Sequence, residues 1–151
     1  MPPVEYRLVP VRANDIDALK DYVEALYRLD EDFDAMVNIH EGVQTLLRNE
    51  QLVTAYFIKQ GDHRIGYVIL TKYHSVEKGG LTFYIDELYV ESKHRRHGGG
   101  NEVMKKILEI AKNAGAKALW AQAEPYNDAA RKFFEGQGFH QNPYLNFERQ
   151  I

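Results

Sequence analysis

"VESKHRRHGGGNEVMKKILEIAK", residues 90–112, is the stretch on which the reading of the fold turns. A small basic cluster runs into three consecutive glycines, and after them Val103, Met104, Ile107, Leu108 and Ala111 recur at helical spacing. Upstream, "LTFYIDELYV" (81–90) reads as a strand, so the glycines open a helix directly behind one. The first turn of a helix leaves N–H groups without intrahelical partners and carries partial positive charge, and glycine lets an anion approach those donors closely. Lys93, Arg95 and Arg96 add cationic side chains, arginine in particular matching phosphate oxygens with its planar fork of donors. The stretch reads as a phosphate cradle, with a solvated, flexible connection as the plainer alternative.

Two common phosphate ligands fit poorly. A P-loop needs Gly-Lys-Ser/Thr after its glycines, whereas Asn101 and Glu102 follow here, leaving no lysine for a γ-phosphate and no hydroxyl for magnesium. A dinucleotide fingerprint needs a third glycine three positions after the second, and Val103 occupies that place in the frame of Gly98 and Gly100. His94 and His97 stand three apart without a third ligand, so no metal site is expected.

Outward from this stretch the rest of the chain falls into place. "EYRLVPVR" (5–12) reads as a strand, and "NDIDALKDYVEALYRL" (14–29) as a helix capped by Asn14, with Ile16, Leu19, Tyr22, Val23, Leu26 and Tyr27 on one face. After the acidic "DEDFD" (30–34), "AMVNIHEGVQTLLRN" (35–49) predicts a second helix. "LVTAYFIK" (52–59), "RIGYVILTKY" (64–73) and "LTFYIDELYV" (81–90) predict an antiparallel meander. The glycine helix should end at Gly115, followed by a strand "KALWAQA" (117–123), a short helix capped by Asn127, and final strands in "GFHQN" (138–142) and "YLNFERQI" (144–151). The order β-α-α-β-β-β-α-β-α-β, without repeats or linkers, predicts one α+β domain over residues 1–151, with helices on a mixed, mostly antiparallel sheet.

Composition narrows the function. At 151 residues the chain can bury a full core without disulfides, and 44% hydrophobic against 27% charged residues is a globular composition. A formal net charge of −3 offers no field for nucleic acid, so none is expected as a partner. The absence of cysteine excludes thiolate zinc sites and cysteine nucleophiles. The N-terminus shows no apolar signal-peptide core and no apolar run approaches the roughly 20 residues of a membrane span, so a cytoplasmic protein without membrane contact is expected.

The chain resembles the GNAT superfamily of acetyl-CoA-dependent N-acetyltransferases. That family's acyl-CoA signature, Arg or Gln, two residues, Gly, one residue, Gly or Ala, is present as Arg95-Arg96-His97-Gly98-Gly99-Gly100. Its second signature is present as Asn127-Asp128-Ala129-Ala130-Arg131-Lys132-Phe133-Phe134-Glu135-Gly136-Gln137-Gly138-Phe139. The resemblance implies a twisted central sheet flanked by about four helices, whose strands at 81–90 and 117–123 splay apart to admit acetyl-CoA. Backbone groups of Leu88, Tyr89 and Val90 are expected on pantetheine, and N–H groups from Arg96 to Asn101 on pyrophosphate. Arg95, Asn127, Arg131 and Phe134 are further candidate contacts.

The chemistry needs a neutral amine, and an alkylammonium of pKa about 10.4 costs roughly 4–5 kcal/mol to deprotonate at neutral pH. Asp86 is the candidate base by resemblance, with Glu87 as the fallback, the two pointing to opposite faces of a regular strand. A strand N–H near Leu88 or Tyr89 would polarise the thioester oxygen. Many family members protonate the departing thiolate with a tyrosine where this chain has Phe134, so Tyr126, Tyr89, Tyr144 or water must serve, or the role is unfilled. The acceptor side is expected from the N-terminal helices, with Asp30 and Asp32 steering a small cationic amine and Tyr27 and Phe33 supplying aromatic walls. A fainter likeness to aminoglycoside and diamine acetyltransferases in "YIDELYV" and "AQAEPYNDAA" points the same way. A non-catalytic acyl-CoA-binding module, a protein acetyltransferase and assembly as a homodimer remain open.

Overall fold

A computed structural model of the chain describes residues 4–29, 36–95 and 97–151. Among the described residues five strands form one sheet in the order β1-β2-β3-β4-β5: Tyr6–Pro10, Val53–Gln60, His63–Ser75, Gly80–Val90 and Ala118–Ala121. The first four pair antiparallel as consecutive neighbours, and β5 joins β4 in parallel after the crossover through a helix. The meander, the crossover and the four helices α1 (Ile16–Leu29), α2 (Met36–Leu46), α3 (Gly99–Asn113) and α4 (Asp128–Gly136) follow the order expected from the sequence.

Alternation along the strands sends side chains to two cores. On one face, Ala55, Phe57, Tyr67 and Ile69 pack against Leu19 and Val23 of α1 and Ile39, Val43 and Leu46 of α2. The apolar stripe of α1 meets this core as its spacing predicts, Ile16, Tyr22, Leu26 and Tyr27 packing around it. On the other face, Ile58, Val68, Leu70, Phe83 and Ile85 receive Val103, Met104, Ile107 and Ala111 of α3 and, at the margin, Phe133 and Phe134 of α4. Each such side chain contributes about 1.5–3 kcal/mol on burial, so the sheet is held from both sides.

Three local expectations are corrected. Asn14 lies inside a short 3-10 turn, Ala13–Asp15, and the capping is done by Asp15, whose carboxylate accepts the Arg12 N–H at 3.3 Å. That carboxylate is also held by Arg64 at 2.8 Å, which ties the start of α1 to β3. Asp86 and Glu87 do not sit on a regular strand: Ile69 pairs with Glu87 and Leu70 with Ile85, so Asp86 is the extra residue of a β-bulge. The segments 138–142 and 144–151 form no strands, because a strand needs a ladder partner and this chain's sheet ends at β5.

Candidate active site

The site begins where β4 and β5 part. Their parallel pairing runs from Thr82↔Ala118 to Ile85↔Ala121 and stops, while β4 continues to Val90 against β3 alone. From Asp86 onward the β5-facing edge of β4 therefore has no strand partner, which bares backbone groups of the expected Leu88; the Tyr89 carbonyl faces Gly66 of β3, and the Val90 carbonyl accepts from Arg95. The bulge falls at this same point.

After β4 the chain turns into the N-terminus of α3, which packs against Tyr6 of β1 and Phe133 of α4. Gly98 is its N-cap residue, at φ 79°, where a Cβ would be strained, and among the described residues no side chain caps the helix. Gly99 is buried, and a Cβ there would lie 2.7 Å from the Tyr6 ring. A Cβ on Gly100 would lie 2.9 Å from Phe133. Each glycine thus has its own reason, and none adds a side chain over the first-turn N–H groups of α3. The arrangement fits a diphosphate on α3 and an amide-bearing arm along β4, which is the shape of CoA.

Around this cradle Arg95 donates from Nε to the Val90 carbonyl at 2.6 Å, its guanidinium lying 5.6 Å from the Tyr89 ring centre. His97 is exposed, and Arg96 lies outside the described residues. Asn101 accepts a hydrogen bond from the Gln137 side chain, which fixes the start of α3 to the end of α4. Asn127 caps α4 as expected, its Oδ1 accepting the Ala130 N–H at 3.1 Å. Arg131 donates to the Pro125 carbonyl at 3.3 Å and pairs with Asp128 at 3.6 Å. Phe134 is half-buried between Phe133 and Phe139. Tyr126 is 84% exposed in the loop before α4.

On the face toward α1 the carboxylates come together. Tyr67, fully buried on β3, donates to Glu87 Oε1 at 2.9 Å, and Tyr27 of α1 donates to the same carboxylate. Burial raises the Glu87 pKa, and the Asp86 charge adds to this, while the two tyrosine hydrogen bonds oppose it. Asp86 keeps an exposed edge, yet desolvation holds its pKa above the usual carboxylate range too. Its charge also reaches Tyr84, which burial and Asp86 push up to about 12. The bulge therefore makes neighbours of two carboxylates that a regular strand would have set on opposite faces. Burial and Glu87 push the Tyr67 hydroxyl far above the ordinary tyrosine range, so it stays a donor.

An aromatic wall backs the pair: Tyr89 lies 5.9 Å from Tyr67 and 6.1 Å from Tyr22, whose hydroxyl donates to Glu91 at 2.8 Å. Tyr67 and Tyr22 carried no signal in the sequence beyond a strand and a helix face. Gly66 is another residue that pattern reading passes over; a Cβ there would lie 2.0 Å from the Tyr89 carbonyl, so only glycine lets β3 and β4 meet at this point. Asp30, Asp32 and Phe33, expected on the acceptor side, lie outside the described residues. Among the described residues, no group of three or more His, Asp and Glu could hold a metal ion, and no helix is long and apolar enough to cross a membrane.

The sequence pattern of the Acetyltransferase (GNAT) family matches residues 17–139, and the chain belongs to that family. Membership makes it an acyltransferase of the class that uses acetyl-CoA as acyl donor. Thialysine N-epsilon-acetyltransferase of Bos taurus is 28% identical over 79 residues, 52% of this chain and 46% of that protein, so the match spans about half the length of the curated relative. Two solved structures share the fold: a possible acetyltransferase from Clostridium difficile (TM-score 0.77, 21% identity, 99% of both chains covered) and AAC(6')-Iy in complex with the bisubstrate analogue CoA-S-monomethyl-acetylneamine (TM-score 0.77, 13% identity, 97% of this chain and 99% of that one).

Proposed function

We propose that the protein transfers the acetyl group of acetyl-CoA to a primary amine of a small cationic acceptor by direct attack within a ternary complex. The observation that carries this reading is the Glu87 carboxylate, held by the hydroxyls of Tyr67 and Tyr27 beside the point where β4 leaves β5. Acetyl-CoA supplies the activated acyl group as a thioester.

The chain's own residues then have distinct tasks. N–H groups of Gly99, Gly100 and Asn101 hold the diphosphate, and the unpartnered edge of β4 at Leu88 orients the pantetheine arm. Glu87 accepts the ammonium proton at a carboxylate oxygen, directly or through one water. Its raised pKa brings it nearer the operating pH, where a general base works best. Asp86, placed by its bulge beside Glu87, shares the titration of the pair and adds the negative charge that draws the cation in. A strand N–H near Leu88 or Tyr89 faces the oxygen on which charge develops. As the new C–N bond forms and the C–S bond breaks, the nitrogen gives up its second proton to water, and the thiolate takes a proton from Tyr126 or from water, since Phe134 has none to give. A thiolate of pKa near 8.5 leaves acceptably without a dedicated acid.

A cationic acceptor is supported by the three carboxylates Asp86, Glu87 and Glu91 on or beside this end of β4, and by the aromatic wall. The thialysine and aminoglycoside acetyltransferases to which the chain is similar both act on amines, which points the same way. The test is release of free thiol from acetyl-CoA across a panel of diamines, lysine analogues, aminoglycosides and neutral amines. Turnover confined to the cationic members is the expected result. Tight acetyl-CoA binding with no thiol release from any amine would establish the non-catalytic module that Phe134 keeps in play.

A further inference from the structure

Between the carboxylate pair and the glycine cradle the chain is short. β4 ends at Val90, and a single 3-10 turn, Ser92–His94, carries it toward Gly98. The turn closes on itself: the His94 N–H donates to the Glu91 carbonyl at 2.9 Å, and Arg95 reaches back to Val90. Contacts of that kind shape a turn without fixing it to its surroundings. Glu91 does the fixing. Its N–H donates to the Ile65 carbonyl of β3 at 2.8 Å, and its carboxylate accepts the Tyr22 hydroxyl of α1, also at 2.8 Å. Lys93 and His94 approach the same carboxylate at 3.7 and 3.9 Å from within the turn, as long, partly solvated pairs that contribute little.

Tyr22 is firmly placed for this contact. Its ring lies 6.1 Å from Tyr89 and 6.3 Å from both Phe57 and Tyr67. Arg64, which lies 4.1 Å over the Phe57 ring, pins the start of α1 through Asp15. A hydroxyl has one proton, and of its two acceptors the Glu91 carboxylate is nearer and charged, while the Arg64 carbonyl lies at 3.1 Å. Burial, and after it Glu91, raises the Tyr22 pKa above the ordinary tyrosine range, so the group stays a donor. Further along the same helix Tyr27 holds Glu87, so α1 grips β4 at the proposed base and again at the turn that leads to the cradle.

We propose that Tyr22 is a positioning residue for CoA, acting through Glu91. By tying Glu91 to α1 it holds the Ser92–His94 turn and Arg95 in the conformation that receives the diphosphate, so that ordering them is complete before CoA arrives. The inference rests on CoA as the ligand and not on the acceptor or the base. CoA binding is measured without turnover, so its failure and a failure of the acetyl-transfer reading are distinguishable.

The test is isothermal titration of the full chain with CoA. Tyr22→Phe keeps the ring and should weaken CoA about tenfold, the size of a lost hydrogen bond to a charged group. Glu91→Ala should do the same from the other partner, leaving Tyr22 the Arg64 carbonyl. The double variant should lose no more than about twofold beyond either single one, because both remove one interaction. Glu91→Gln, which keeps an acceptor oxygen, should restore most of the affinity. Hydrogen exchange on the free Tyr22→Phe protein should quicken in peptides covering the Ser92–His94 turn and not in those of α1. Native CoA affinity in either single variant, additive losses in the double one, or faster exchange throughout α1 with the turn unchanged would overturn the proposal, the last by reducing Tyr22 to a support of its own helix.

Discussion

Tyr67→Phe isolates the contact on which the proposed chemistry depends. The substitution keeps the buried ring and removes one hydroxyl, whose hydrogen bond to Glu87 Oε1 spans 2.9 Å at a part-buried site. Hydrogen bonds to charged groups contribute about 1.5–3 kcal/mol, and the open side of this cleft argues for the lower end, about 1.5 kcal/mol. The bond favours the ionised carboxylate, so its loss moves the Glu87 pKa further in the direction that burial already drives it. A base must be ionised to accept a proton, so the acid limb of the kcat/KM profile moves to higher pH. At any pH on that limb the variant should be about tenfold slower, since about 1.4 kcal/mol is a factor of ten, and the two profiles should converge at alkaline pH. The assay is thiol release against pH at subsaturating amine, with thermal melts as control. A uniform loss across all pH values, or an acid limb that does not move, would refute the role given to Glu87.

Other outcomes follow from geometry already described. Glu87→Gln should abolish most amine-dependent thiol release, yet leave the protein at least as stable at pH 7 by urea titration, because a carboxylate with a raised folded-state pKa costs stability once ionised and not below its unfolded pKa. Gly66→Ala forces a Cβ onto the Tyr89 carbonyl; a loss of about 3 kcal/mol is expected from chemical denaturation, with weaker CoA binding because the end of β4 shifts. Asn127→Ala removes the cap of α4 and should cost about 1 kcal/mol in the same experiment. Phe134→Tyr should leave CoA affinity within twofold by isothermal titration, and a collapse of binding would mean that the aromatic position has been misassigned.

Periodicity carried most of the fold. The stripe of α1, the alternation of β2 to β4 and the glycine signals at 98 and 115 are local statements about a helix or a strand, and burial on a common core enforced them. What escaped was non-local. The bulge at Asp86 depends on register with Leu70 and Ile69, which no spacing within β4 encodes, so reading two adjacent residues as opposed was right for a regular strand and wrong here. Tyr67 shows its purpose only when β3 lies beside β4. Asn14 had the composition of a cap, but Asp15 had Arg64 waiting 49 residues away. Residues 144–151 have a strand's alternation without a ladder, a reminder that alternation reports a face to be covered and not what covers it. The glycine cradle was legible because three glycines directly before a helical period are a local signal, whereas the contacts with the Tyr6 and Phe133 rings that require Gly99 and Gly100 are as non-local as the bulge.

The bulge has a consequence for how such a cleft changes over time. Deleting Asp86 would leave Ile85 opposite Leu70 and Glu87 opposite Ile69, so every core side chain on both faces would keep its place. Position 86 is supernumerary to the ladder: its side chain is exposed and is not needed for the alternation that holds the sheet. Chemistry at that position is uncoupled from folding in a way that Glu87, wedged between two tyrosines, is not. A lineage that must accept a new amine can rewrite residue 86 first and leave the architecture untouched.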